Sequence, residues 1–413
     1  MAVFYSTPNI MKYFSLIFVF LCFYVQSAQA QTTETKPYVV IISWDAFRWD
    51  YPEIYNTPNL NKIAEKGVKA EKVISCFPTL TFPNHYSMAT GLYPNNHGVV
   101  HNKFYAEDLD KEFRAGSQET IDEIGFWGGE PIWVTAETQG VNSASFFWVG
   151  SETNISSIRP DFWKAYDHYF PFAPRTDTII HWLSLPEEIR PHLIMWYFHE
   201  PDEVSHHYGT HSEQTKNTVQ LLDSLLGDFM NKLAQLPIAN EVNVIITADH
   251  GMTNISQERS VCIDDYIDAS QTSHIYTAPT TFVYSKSGYR DTLYNALQKM
   301  PHARVYKREE LPPRYHYGNN SRIADLVVIA DCGWTILREG EKVTLSAAHG
   351  YDNACDDMAM IFYAYGPAFN LNYTQPIMEN VDIYNIITNI LNLTPAKNDG
   401  NFERVREMLK PID

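Results

Sequence analysis

Three uninterrupted apolar runs, each of strand length and each ending shortly before an aspartate, constrain this chain most. Tyr38-Val39-Val40-Ile41-Ile42-Ser43 leads into Trp44-Asp45, Leu193 to Phe198 leads to Asp202, and Val242 to Thr247 leads to Asp249-His250. A strand with one wet face alternates apolar and polar residues, so runs like these belong to strands covered on both faces, as in parallel sheets. Helical patterns fall between them. Thr57 as N-cap, Pro58 at N1, Leu60, Ile63 and Ala64 on one face and Gly67 as the stop outline one helix. Val219, Leu222, Leu226, Phe229 and Leu233 outline a second, and Ile383, Ile386, Ile387 and Ile390 a third. Further strands are predicted at Asp325 to Ala330 and Met358 to Tyr365. The alternation predicts an α/β fold, a mostly parallel sheet with helices on both faces. In such sheets ligands bind beyond the carboxyl ends of the strands, where the aspartates stand. Residues from about 255 to 345 break the pattern with a helix near Tyr289 to Met300 and the turn Leu311-Pro312-Pro313. They are expected to form a smaller inserted α/β lobe within one catalytic domain spanning 31–413.

Charge narrows the function. Of the 413 residues, 31 are Lys or Arg and 49 are Asp or Glu, a net charge of −18. A general nucleic-acid binder would be basic, so duplex nucleic acid is not an expected partner. A phosphate site on so acidic a chain needs metals or local cations. At the N-terminus, Lys12 precedes the apolar run Tyr13 to Val25, and Ser27-Ala28-Gln29-Ala30 supplies small residues at a cleavage site. These features predict a signal peptide over residues 1–30 and a secreted or periplasmic protein, with no stable membrane span once the leader is removed. Cys22 lies in that leader. Cys76, Cys262, Cys332 and Cys355 remain, so two disulfides are plausible in an oxidising compartment, with three possible connectivities.

Histidines accompany the strand-end acids. Asp202 and His206 are spaced i, i+4, His250 follows Asp249, and His349 opens a His-Gly-Tyr-Asp-Asn stretch. With Asp45 this makes three aspartates and three histidines, a donor set suited to catalytic zinc. Six ligands serve two metals with three each and leave positions for substrate oxygens, as in-line displacement requires. Singly, each residue is weak evidence, and an i, i+4 Asp–His pair is often an ordinary surface pair. A second cluster is Pro78-Thr79-Leu80-Thr81-Phe82-Pro83-Asn84-His85. Pro83 fits N1 of a helix running to Thr90 and stopped by Gly91, which puts Thr81 at the helix N-terminus. There, backbone N–H groups and the helix dipole favour a phosphoryl group, although Thr81 alone would read as a plain N-cap.

The chain resembles the nucleotide pyrophosphatase/phosphodiesterase family of the alkaline phosphatase superfamily. The resemblance is carried by Thr81-Phe82-Pro83-Asn84-His85-Tyr86, Thr90-Gly91-Leu92-Tyr93-Pro94, His97-Gly98 followed by Asn102, and Pro131 to Glu137. It continues in Phe146-Phe147-Trp148, Glu200-Pro201-Asp202 through His206, Ala248-Asp249-His250-Gly251-Met252 and His349 to Asn353, and runs from about residue 37 to the C-terminus. It implies an alkaline-phosphatase-like core, Thr81 as nucleophile of a covalent intermediate, and two Zn2+. Asp45, Asp249 and His250 would bind the zinc that activates Thr81; Asp202, His206 and His349 would bind the other. Asn102 would donate to a phosphoryl oxygen. Phe82 and Tyr197 match positions where aromatic rings hold a nucleotide base, Tyr166 is a third such position, and Lys103 would reach a substrate phosphate as a point charge. Leu80 departs from a lysine that some nucleotide-cleaving members carry.

The expected activity is cleavage of a small-molecule nucleotide phosphodiester or pyrophosphate, releasing nucleoside 5′-monophosphate. Relatives on the same scaffold cleave lysophospholipids or choline phosphodiesters, which is the alternative substrate class. A catalytically silent binding protein would be expected to have lost ligands, and all six and Thr81 are present. A sulfatase is excluded because Cys76-Phe77-Pro78-Thr79-Leu80 lacks the arginine of that signature.

Overall fold

The computed structural model describes residues 1–3 and 37–411. The expected signal peptide, Cys22 included, lies beyond its first three residues outside the described residues. Among the described residues, no helix is long and apolar enough to cross a membrane.

The three apolar runs form the centre of an eight-stranded sheet. Its order is Tyr373–Gln375, Val68–Ala70, Phe362–Tyr365, Val242–Thr247, Tyr38–Trp44, Leu193–Phe198, Ser143–Phe146 and Phe162–Lys164. Every residue of the three central strands is buried, so both faces are covered. Tyr38–Trp44 pairs in parallel with both neighbours, matching Ile42 to Trp196 on one side and to Ile246 on the other. Phe362–Tyr365 runs antiparallel to its two neighbours. It is shorter than the expected strand from Met358, because Asp356–Met358 form a 3-10 turn and Met360 makes isolated bridges to Arg48 and Val73. Helices Pro58–Lys66 and Phe172–Leu183 pack on the long helix Glu213–Leu233, whereas Ile132–Thr138 and Asp382–Ile390 pack on Thr81–Thr90.

Thr57 is at the N-cap of the Pro58–Lys66 helix, but its side chain makes no cap bond. The orphan donors there are met from another helix: the buried Asp223 carboxylate accepts from the backbone N–H groups of Asn59 and Leu60. One carboxylate thus caps one helix and pins it to a second, which no local pattern reveals.

The segment between the short antiparallel strands Thr253–Asn254 and Ala347–Ala348 leaves and rejoins the core. It carries a second, four-stranded antiparallel sheet ordered Thr272–Tyr276, Thr280–Ser285, Leu326–Ala330, Ala303–Lys307. The strand predicted at Asp325 to Ala330, inside the expected insertion, is the Leu326–Ala330 strand of this sheet. Its residues alternate: Val327 and Ile329 face the main core, while Leu326, Val328 and Ala330 face a separate cluster with Leu293 and Leu297. Two dry faces explain why the run reads as a central strand. The inserted helix is Arg290–Leu297.

Of the two disulfides considered, the described residues hold one, Cys332–Cys355. Cys76 and Cys262 are free. Cys76 is buried against Asn84 of the Thr81–Thr90 helix, whereas Cys262 pairs with Leu337 in the insertion, so the two thiols sit in different regions.

Candidate active site

The carboxyl ends of the three central strands deliver acids to one place. Asp45 follows the first, and Ala46 then takes a left-handed φ of 58°, turning its N–H to donate to Asp249 Oδ1 at 3.0 Å. Asp249 and His250 follow the Val242–Thr247 strand. The chain then passes so close to residue 357 that a Cβ at Gly251 would lie 2.0 Å from the Asp357 carbonyl oxygen. Asp202 opens the helix Asp202–Tyr208, with His206 one turn on. His349 arrives from the Ala347–Ala348 strand that closes the insertion.

These side chains meet with their lone pairs facing. His250 Nδ1–H donates to the Gly251 carbonyl at 2.8 Å, His206 Nδ1–H to Ala347 at 2.8 Å and His349 Nδ1–H to Thr79 at 3.0 Å. A carbonyl only accepts, so each ring carries a proton on Nδ1 and, in its neutral form, presents a bare Nε2 to the centre; burial works against a charged His250, but Asp249 beside it raises its pKa. His250 Nε2 is 3.0 Å from Asp249 Oδ2 and 3.4 Å from Asp45 Oδ1. His206 Nε2 is 3.4 Å from Asp202 Oδ2, and His349 Nε2 is 3.6 Å from Asp202 Oδ1. Asp45 Oδ1, Asp202 Oδ1 and Asp249 Oδ2 are buried without a hydrogen-bond partner. Acceptors set against acceptors in a buried site are costly unless a cation lies between them. The donor chemistry therefore fits metal ions, and His–carboxylate triads pinned through their outer nitrogens are the usual arrangement. At this centre, triples with ligand atoms mutually within 4.8 Å include the expected Asp202–His206–His349, together with Asp45–Asp202–His250 and Asp45–His85–Asp249 in place of the expected Asp45–Asp249–His250.

The charges show the same need. Burial, then the charges of Asp249 and Asp202, push Asp45 well above the usual carboxylate range. Burial likewise raises Asp202 against the pull of His206 and His250. Burial also works against an ionised Asp249, but His250 and His85 outweigh it and hold that carboxyl well below its ordinary value. Burial and the neighbouring His250 and His206 push His349 well down, so it stays neutral.

Thr81 is the first residue of the Thr81–Thr90 helix, not its cap; the cap position is Leu80, and Pro83 is at N3, where a missing N–H costs nothing. The helix starts two residues earlier than Pro83 suggested because Asn84 N–H already bonds the Leu80 carbonyl. Its C-terminus is Gly91 in the left-handed region at φ 66°, as expected. Thr81 Oγ1 lies 3.2 Å from His250 Nε2. The Phe82 N–H donates to Asn102 Oδ1 at 3.0 Å, which orients that amide so that its NH2 is the end left for a ligand. Two residues with no role assigned from sequence brace this helix end. Asn84 Nδ2 donates to the Pro78 and Leu80 carbonyls while its Oδ1 accepts from Cys76 N–H. The fully buried His85 donates from Nδ1 to the Thr81 carbonyl, with Nε2 on Ser43 Oγ and Asp249 Oδ2 at 3.3 Å from Nδ1. Their i+3 and i+4 spacing from Thr81 was the available signal.

A cleft of about 580 Å³ opens over Thr81 and Asn102. Phe82, Tyr197 and Tyr166 line it, with Trp127 and Phe147, which the sequence reading left unassigned. Tyr197 is 7% exposed, and its hydroxyl donates to Asp45 Oδ2 at 2.6 Å, so it positions that carboxylate. Tyr166 is 42% exposed, its ring 6.2 Å from that of Tyr197. Lys103 departs from expectation. Its ammonium sits over the Tyr276 ring and 4.0 Å from Glu112, and it does not line the cleft. The acidic and aromatic partners on the adjoining hairpin and inserted sheet draw it aside.

Known proteins are similar to this chain in sequence and fold. The family described as type I phosphodiesterase / nucleotide pyrophosphatase matches residues 39–352. The chain is 36% identical over 372 residues to ectonucleotide pyrophosphatase/phosphodiesterase family member 5 of Homo sapiens, covering 90% of this chain and 78% of that one. It is 36% identical over 386 residues to venom phosphodiesterase CdcPDE of Crotalus durissus collilineatus, covering 90% of this chain and 46% of the venom protein, so it spans about half the latter's length. A solved structure of an inactive variant of murine ectonucleotide pyrophosphatase/phosphodiesterase 5 in complex with AMP superposes with a TM-score of 0.87 at 35% identity, covering 91% of this chain and all of that one. The alkaline-phosphatase-like α/β fold is therefore shared.

Proposed function

The chain belongs to the type I phosphodiesterase / nucleotide pyrophosphatase family, a family of metal-dependent hydrolases, and on that premise we propose that it is a secreted or periplasmic two-zinc enzyme that cleaves nucleotide phosphodiesters or pyrophosphates through a threonine intermediate. The observation that carries the proposal is Thr81 Oγ1 at a helix N-terminus, 3.2 Å from His250 Nε2 and beside three buried carboxylate oxygens without partners. Asp45, Asp249 and His250 hold the ion nearer Thr81; Asp202, His206 and His349 hold the second. When bound, zinc lowers the pKa of the threonine hydroxyl and neutralises charge on phosphoryl oxygens.

The protein's own groups then act as follows. Thr81 Oγ1 loses its proton, which ends on the leaving group, and forms a bond to phosphorus as the bond to the leaving oxygen breaks. Water then cleaves the resulting nucleotidyl-threonine ester, returning a proton to Thr81 Oγ1 and freeing the nucleoside 5′-monophosphate. The Asn102 NH2 donates to a non-bridging oxygen, and its Oδ1 is held by Phe82 N–H so that this donor needs no rearrangement. Tyr197 fixes Asp45, and the Ala46 N–H fixes Asp249. Phe82, with Tyr166 on the open side, stacks on the base. The inactive murine variant bound to AMP supports a nucleotide substrate, and the venom and ectonucleotidase relatives support action outside the cytoplasm. Residues 31–413 act as one catalytic domain with the insertion at about 255–345, on a small-molecule nucleotide rather than a nucleic-acid duplex.

Initial rates on a chromogenic nucleoside 5′-phosphodiester and on a choline phosphodiester, before and after chelation and zinc add-back, test this reading. Faster, zinc-restored cleavage of the nucleotide is expected. Faster cleavage of the choline ester would move the substrate to the alternative class, and full activity of Thr81→Ala would refute the nucleophile.

A further inference from the structure

A second group of metal-ligating side chains stands on the cleft wall. His168 lies in the loop after the Phe162–Lys164 strand, His199 directly follows the Leu193–Phe198 strand, and Glu203 is the second residue of the Asp202–Tyr208 helix. His168 Nε2 is 3.2 Å from Glu203 Oε2, and His199 Nε2 is 3.7 Å from the same oxygen. The two imidazoles stack, with centroids 4.4 Å apart and planes at 26°. One ligand atom from each residue lies within 4.8 Å of the others. Two donors on one zinc, each about 2.0–2.2 Å from the ion, stand roughly 3–3.6 Å apart; the His168–Glu203 separation falls in that range and the His199–Glu203 separation lies just outside it.

We propose that His168, His199 and Glu203 form a third divalent transition-metal site, weaker and more exchangeable than the catalytic pair, that holds phosphoryl oxygens beyond the scissile one. Two histidines and a carboxylate are a zinc-type donor set with room for a substrate oxygen. The Tyr166 hydroxyl on His168 Nδ1, at 3.2 Å, fixes one imidazole. His199 has no such outer partner: its ring packs 5.2 Å from Phe172 and its Nδ1 is without a hydrogen-bond partner. An imidazole lacking an outer acceptor makes a weaker ligand, so the site ranks below the catalytic pair, where all three rings have one. The cleft has a use for such an ion. Among the described residues lining it there is no Lys or Arg, while Asp45, Glu152, Asp202 and Glu203 are acidic. A pyrophosphate substrate brings more negative charge than two catalytic ions must already neutralise.

The substrate role rests on the nucleotide-hydrolase reading; the metal site itself does not. Equilibrium dialysis of the full-length protein against micromolar Zn2+, followed by elemental analysis, should give three equivalents per chain, the third removed first by a weak chelator. His168→Ala, at a side chain 38% exposed, and His199→Gln should each give two. The KM for a pyrophosphate-linked nucleotide should rise in both variants more than that for a singly charged phosphodiester. Two equivalents in the wild type, three in both variants, or an equal KM change for the two substrates would overturn the proposal. Fewer than two in the wild type would instead overturn the two-zinc reading.

Discussion

The two walls of the cleft are built differently. On the cradle wall the acids follow strands buried on both faces, and every histidine that presents Nε2 to the centre is tied through Nδ1 to a backbone carbonyl. On the facing wall Tyr166 and His168 come from a loop and are partly exposed; they touch each other, with His168 beside Glu203 and Tyr166 against Phe147. The cradle places atoms to within a bond length because the sheet behind it cannot shift without opening the core. The facing wall can adjust to a substrate at little cost. Bond-breaking is thus assigned to the rigid side and substrate choice to the soft side.

If that division holds, substitutions should fall in order from cradle to wall. Thr81→Ala should lower kcat by on the order of 10⁴–10⁶-fold with metal content intact, read by steady-state kinetics beside elemental analysis. Asn102→Ala should cost roughly 100–1,000-fold in kcat with little change in KM, since it removes a donor aimed at developing charge; a pure KM effect would put Asn102 on the binding side. Tyr197→Phe removes the hydrogen bond that holds Asp45 while keeping the ring. Zinc affinity or activity should drop about 10–100-fold, and unchanged zinc titration would return Tyr197 to a stacking role. Phe82→Ala should act mainly on KM, by about 5–150-fold for a stacking loss of ~1–3 kcal/mol. Tyr166→Ala should give a KM change of only about 2–10-fold, because the ring is 42% exposed. A kcat collapse in Tyr166→Ala would break the comparison.

The same division explains what was legible in the sequence. Asp45, Asp202 and Asp249 were readable because a doubly buried strand announces itself as an apolar run and the parallel sheet sets its site at the strand ends. Thr81 was readable as a helix start, though two residues out of register, because Pro83 is tolerated beyond N1. The wall was readable only in part: Tyr166 follows from the resemblance, whereas His168 stands alone in a loop and nothing in the sequence ties it to the i, i+4 pair His199 and Glu203. Lys103 follows Asn102 in sequence, yet its ammonium goes to Tyr276 and Glu112, partners set by the insertion's packing. The Leu326–Ala330 strand lies in the inserted sheet, within the expected 255–345 insertion, and is apolar throughout because its two faces meet two cores.

The most direct test of the threonine mechanism is the configuration at phosphorus. A nucleoside 5′-phosphorothioate diester of one configuration would be hydrolysed in 18O-enriched water and the chirality of the product determined. Two successive in-line displacements, first by Thr81 and then by water, predict retention. Inversion would mean that water attacks directly, and would contradict a covalent role for Thr81.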